Sequence, residues 1–157
     1  MKARNGFTLV EILIVVVILG ILAAIVIPQF TEASNEARTS SLVSDLQTVR
    51  SQIELFKIQH TDALPGAASG ITVAEALTLY TNTNGTKATT QAPGAEIFGP
   101  YLQKIPTNPY ADSVAAGGDP DGIEATAAAA TVDGSTGWHF HTTTGAFHAN
   151  TVGHDSL

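Results

Sequence analysis

Hydrophobic positions fall into four patterned stretches. The first is an apolar run from Phe7 to Ile27 that carries a single charge, Glu11. Its 21 residues span about 31 Å as a helix, the thickness of a bilayer core. Val and Ile make up about half of it, a strand-like composition in water. A spanning segment must satisfy its own backbone, so the run is predicted helical. The second stretch, Leu42, Leu46, Val49, Ile53, Phe56 and His60, is spaced alternately by four and three, an amphipathic helical stripe. Arg50 and Lys57 fall on a neighbouring, solvated face, and Leu55 and Ile58 predict fuller cover over the last turns. Together these stretches predict one helix from Phe7 to about His60, near 80 Å long and ended by Leu64-Pro65-Gly66. Pro28 lies inside it and lacks the N–H that would bond Ala24, which predicts a kink or local loosening there.

The third stretch is a short helix opened by a capping box, Thr72-Val73-Ala74-Glu75, with Val73, Ala76, Leu77 and Tyr80 as its buried side. A polar loop, Thr81 to Gly94, follows. Tyr101 to Ile105 is a strand candidate closed by Pro106-Thr107-Asn108-Pro109. Residues Ala111 to Gly137 lack a usable apolar period and are read as a surface loop. The fourth stretch is a hairpin, Gly137 to Thr142 and Ala146 to Asn150, turning at Thr143-Thr144-Gly145. Alternation puts Trp138 and Phe140 on one face and His139 and His141 on the other. Pairing Thr142 with Phe147 sets Phe140 against Ala149, Trp138 against Thr151, and His141 against His148. The end, Gly153 to Leu157, reads as frayed.

Charge adds direction. Lys2 and Arg4 precede the apolar run and Glu32 and Glu36 follow it, so the positive-inside rule sets the N-terminus in the cytoplasm. Seven basic side chains stand against fourteen acidic ones, and only five of the seven lie beyond Gly6, which argues against nucleic acid and against docking on anionic lipid. There are no cysteines, which excludes disulfides, thiolate metal sites and a Cys nucleophile. A cleaved secretory signal would need a shorter apolar core and an A-x-A pattern at its end, and Ala23-Ala24 runs on into Ile-Val-Ile-Pro.

A basic leader, Gly6, Phe7, Glu11 within the apolar helix, and Pro28 together resemble the class III signal of type IV pilins and type II secretion pseudopilins. Tyr101-Leu102-Gln103-Lys104-Ile105-Pro106-Thr107-Asn108-Pro109 resembles a segment of G-type major pseudopilins. Gly137-Trp138 through Thr144-Gly145 and Ala149-Asn150 resembles the ending of related pilin-like proteins. The resemblance implies an α+β, pilin-like fold: a long N-terminal helix, half transmembrane and half amphipathic, packed on a small antiparallel sheet. It divides the chain into a leader (1–6), an assembly helix (7–30) and a periplasmic domain (31–157). It further implies cleavage between Gly6 and Phe7 by a prepilin peptidase, methylation of the Phe7 amine, and pairing of Glu11 with the amine of an adjacent subunit. The implied partners are copies of the chain itself, minor pilins or pseudopilins, and the inner-membrane assembly platform with its ATPase. The expected function is a structural subunit of a secretion pseudopilus; a type IV pilin is the alternative. The expected location is the bacterial inner membrane and then a filament.

Candidate chemistry outside that signal is sparse. G-type relatives are implied to hold calcium in an acidic loop near the C-terminus, where this chain has only Asp155. Asp119-Pro120-Asp121-Gly122 offers oxygen ligands, but such a segment is more often a plain turn, so no cofactor is assigned. His139, His141 and His148 share a strand face suited to Zn²⁺ or Ni²⁺, which leaves a membrane-anchored metal-binding protein as a further alternative. The favoured reading of that face is a solvated surface rich in His. No nucleophile–base spacing or phosphate loop is recognisable, so an enzyme is not expected.

Overall fold

The computed structural model describes residues 7–88, 97–111, 118–129, 132 and 134–157. Two compact units divide the chain, one ending at Arg38 and one comprising Thr39–Leu157. Helix α1 (Leu9–Gln59) runs continuously through the boundary, Pro28 included. In the first unit the large apolar side chains from Leu9 to Ile27 are more than half exposed. They form an exposed greasy cylinder. The Thr31 hydroxyl donates to the Ile27 carbonyl at 3.1 Å, just beyond the proline.

In the second unit the predicted stripe holds throughout. Leu42, Leu46, Val49, Ile53, Phe56 and His60 are each at most 1% exposed. α1 ends where Thr61 and Asp62 take positive φ and the Asp62 N–H reaches the Lys57 carbonyl at 2.8 Å. The expected cover over the last turns is absent: Leu55 is 40% and Ile58 79% exposed. Arg50 is not simply solvated. Its guanidinium donates to the Phe147 and Leu157 carbonyls.

Helix α2 (Val73–Thr78) starts at the predicted capping box, with the Thr72 N–H on Glu75 Oε2 (3.0 Å) and the Glu75 N–H on Thr72 Oγ1 (3.2 Å). Val73, Ala76 and Leu77 are buried, whereas Tyr80 is half exposed because the helix stops two residues before it. The segment read as a polar loop contributes β1 (Thr81–Asn82), antiparallel to β2 (Ile97–Phe98). His60 ties β1 to α1. Its Nδ1 donates to the Phe56 carbonyl at 2.9 Å, which leaves Nε2 to accept from the Thr81 hydroxyl at 3.0 Å, and its ring stacks on Phe56.

Tyr101 to Ile105 is not a strand. The N–H groups of Tyr101 and Leu102 both bond the Leu77 carbonyl at 2.9 Å, so they are spent on α2 and no ladder forms. The main sheet comprises β3 (Asp119–Thr126), β4 (Thr136–His141) and β5 (Phe147–Ala149), in that order. β3 lies inside the segment expected to be loop. It is an edge strand parallel to β4, so the sheet is mixed, antiparallel only between β4 and β5. An edge position tolerates Pro120, which has no N–H to give a second neighbour. Gly137 makes the approach possible: a Cβ there would lie 2.0 Å from the Pro120 carbonyl oxygen.

The hairpin register differs from expectation by two residues, pairing Phe140 with Phe147, His139 with His148, and Trp138 with Ala149. The four-residue loop is Thr142 to Gly145, closed by the His141 N–H on the Ala146 carbonyl, with Gly145 at φ +76°. Placing the glycine last in the loop moves the turn one residue earlier. A two-residue shift preserves faces. Trp138, Phe140, Phe147 and Ala149 are therefore all buried against Leu42, Leu46, Val49, Ile53, Val73 and Leu77. The Trp138 indole donates to the Pro106 carbonyl at 2.7 Å. The end expected to fray forms turns, with His154 stacked on Tyr110.

Candidate functional site

Glu11 sits in the first turn of α1, and its role there is more specific than a lone acid in an apolar run. Thr8 precedes the helix. Its N–H and hydroxyl donate to Glu11 Oε2 at 2.8 and 2.7 Å, and its Oγ1 faces the Glu11 N–H at 3.3 Å. This is a capping box, Thr-x-x-Glu, with the same spacing as Thr72 and Glu75. The second box stands out in the sequence because it follows a Gly-rich break, whereas the first lies inside an otherwise apolar run and was not expected. Both hydrogen bonds fall on one carboxylate oxygen, and Oε1 makes none among the described residues. Phe7, four residues before Glu11, is 83% exposed. Gly6 lies outside the described residues, so the expected cleavage position has no geometry here. Pro28 lies well within α1, seventeen positions after Glu11 in the sequence.

The acidic segment Asp119-Pro120-Asp121-Gly122 is the start of β3 and so not a plain turn. Asp119 and Asp121 border an open cleft of about 660 Å³ with Thr72, Ile105 and Thr142. Among the described residues, no three or more His, Asp or Glu side chains are gathered at a spacing that holds a metal.

The His face is not a solvated surface. His139 is 2% exposed, and His148 and His141 are half-buried. A pocket of about 280 Å³ is lined by these three with Ala129, Val132 and Asp155. β3 brings Glu124 beside His139, and β5 brings His148 to its other side. Burial lowers the His139 pKa below the usual imidazole value; His148 and His141 add to the lowering, and Glu124 and the Ala128 carbonyl oppose it.

Comparisons with known proteins bear on the helix first. The family model described as "Prokaryotic N-terminal methylation motif" matches residues 1–27. Type II secretion system core protein G of Pseudomonas aeruginosa is 32% identical over 109 residues, 69% of this chain and 70% of that protein. The core protein G of Vibrio cholerae is 31% identical over 110 residues, 70% of this chain and 68% of that protein. A fimbrial protein of Pseudomonas aeruginosa is 44% identical over 54 residues, about a third of each chain. No solved structure matches significantly. The methylation motif on a capped apolar helix, with relatedness running on through most of the chain, assigns the family: this protein belongs to the pilin and pseudopilin superfamily, in the type II secretion system core protein G family.

Proposed function

We propose that the chain is a structural subunit, not an enzyme, that polymerises through α1 into the helical pseudopilus of a type II secretion system. The observation that carries this reading is the first half of α1: an exposed apolar cylinder with one carboxylate, in a core protein G relative. Before assembly that cylinder anchors the chain in the inner membrane, with Lys2 and Arg4 on the cytoplasmic side and residues 31–157 in the periplasm. A prepilin peptidase cuts between Gly6 and Phe7 and the new Phe7 amine is methylated, in keeping with the matched motif. An α-amine is largely cationic at neutral pH. The free Oε1 of Glu11 then takes the Phe7 amine of the adjacent subunit while Oε2 stays on Thr8. Hydrocarbon disfavours an ionised carboxylate by roughly 2.5–3.5 kcal/mol at mid-depth and by less near the interface, where Glu11 enters the apolar run; pairing it with an amine favours transfer from lipid into the filament. Pro28 is the point where α1 loosens on leaving the bilayer. Minor pseudopilins and an assembly platform with its ATPase complete the machinery.

The test is Glu11→Ala in cells expressing native levels. Loss of filaments, with the Thr39–Leu157 unit still folded by Trp138 fluorescence, is the expected result; normal filaments would remove the proposed role. A second reading, a type IV pilin, draws on the fimbrial relative, which matches over only about a third of each chain. Deletion separates the two. Loss of secretion with intact twitching and adhesion marks the pseudopilus, and the opposite pattern marks the pilus.

A further inference from the structure

The histidine face of the main sheet carries an unsatisfied pair. His139 and His148 are cross-strand partners on β4 and β5, and the Nδ1 atoms of both are buried with no hydrogen-bond partner among the described residues. A buried polar atom left unpaired costs about 1–3 kcal/mol, so two on one pair of facing side chains call for a common partner.

Proton accounting identifies what His139 lacks. The Thr126 hydroxyl donates its single proton to the Ala128 carbonyl at 3.0 Å. Toward His139 Nε2, 3.2 Å away, that oxygen can therefore only accept. With that oxygen accepting, Nε2 carries the ring proton, and in the neutral imidazole Nδ1 is a lone pair with no hydrogen-bond partner among the described residues. A metal-bound histidine has this arrangement, with one nitrogen held by a hydrogen-bond acceptor that fixes the tautomer and the other free to ligate. His141 is different. Its Nδ1 already accepts from the Thr143 and Thr144 N–H groups at 3.3 and 3.2 Å, and it serves to fasten the hairpin loop.

We propose that His139 and His148 form a two-imidazole chelate, through Nδ1 of each, for a late first-row divalent cation such as Zn²⁺. Facing residues on antiparallel strands hold their Cβ atoms about 4.5–5.5 Å apart, a span that two imidazoles can close onto one ion. Imidazole nitrogen suits Zn²⁺, Ni²⁺ and Cu²⁺, and disfavours Ca²⁺ and Mg²⁺. With only two side chains as ligands, water fills the other positions, and the adjoining pocket of about 280 Å³ has room for it. The ion would clamp β5 to β4.

The test uses the untagged full chain in detergent micelles, stripped with chelator and titrated with ZnCl₂ by isothermal calorimetry at neutral pH. The wild type is expected to take up a single saturable equivalent, which His148→Gln and His139→Gln abolish and His141→Gln and His154→Gln leave unchanged. Thr126→Val, which removes the acceptor that fixes the tautomer, is expected to weaken binding about tenfold or more. His148 is only half-buried, so its variant keeps the fold and preserves the test if His139→Gln does not. Absence of saturable binding, or binding that survives His148→Gln, overturns the proposal. Ca²⁺ binding in place of Zn²⁺ does so as well.

Discussion

Glu11 is assigned two jobs, capping α1 within its own subunit and pairing across subunits, and two substitutions separate them. Thr8→Ala removes the hydroxyl that gives and takes bonds at 2.7 and 3.3 Å and leaves the charge. Losing such a cap costs about 1 kcal/mol, confined to the first turn of a 51-residue helix. Glu11→Gln keeps an amide oxygen for the Thr8 N–H and hydroxyl and removes the charge. An amine and a carboxylate about 4 Å apart attract by about 4 kcal/mol at an effective dielectric constant of 20. Before desolvation is subtracted, that is about three orders of magnitude in association. Glu11→Gln is therefore expected to abolish assembly, and Thr8→Ala to reduce it severalfold. Assembly is read from the fraction of subunit in sheared, pelleted filaments against the membrane pool. Hydrogen exchange in micelles reads the cap: faster at the amides of residues 9–11 in Thr8→Ala and unchanged in Glu11→Gln. If Glu11→Gln assembles like wild type while Thr8→Ala does not, the carboxylate is a cap alone and the reasoning fails.

Three further predictions concern the Thr39–Leu157 unit, where the single Trp, Trp138, is fully buried and reports unfolding by fluorescence. Gly137→Ala sets a Cβ 2.0 Å from the Pro120 oxygen and must push β3 off β4; a loss of about 1–3 kcal/mol or more is expected by denaturant titration, and an unchanged midpoint would contradict the register. Ile53→Ala, at a position 1% exposed beneath the sheet, is expected to cost about 2–5 kcal/mol, whereas Ile58→Ala at 79% exposure changes little. Burial raises the Tyr101 pKa to about 12, and the hydroxyl also donates to Gln59 Oε1 at 2.6 Å. The folded state thus holds the phenol proton more tightly than the unfolded chain. This contribution is complete below about pH 10 and is lost as pH rises from there through 12. Thermal melts across that window are expected to fall more steeply for wild type than for Tyr101→Phe, and parallel slopes would refute the assignment.

What could be read from the sequence divides by how local its cause is. The α1 stripe was legible because a helical period is set within a few residues, and Leu42 through His60 repeat it without a break. The faces of β4 and β5 were legible for the same reason, since parity survives a two-residue error in register. β3 was not, because nothing within Asp-Pro-Asp-Gly favours a strand; the ladder to β4 and the missing side chain of Gly137 make it one. Tyr101 to Ile105 failed in the opposite sense, with a strand-like composition whose N–H groups are drawn to Leu77. At the start of α1 the carboxylate was legible, and the Thr-x-x-Glu spacing of its cap is the same one that marks α2 at Thr72. The burial of His139 could not be read, because Ala129 and Val132, which wall its pocket, belong to a segment whose composition suggested open loop.

The central claim, that Glu11 serves assembly by taking a neighbouring amine, is tested most directly by the distance between that carboxylate and the Phe7 nitrogen of the adjacent subunit in assembled filaments. Electron cryomicroscopy or solid-state NMR of isotope-labelled filaments can measure it. The account predicts an ion-pair distance, about 4 Å or less, with Thr8 still bonded to the other carboxylate oxygen. A Glu11 bonded only to its own Thr8, with the neighbour's amine well beyond ion-pair reach, would contradict it.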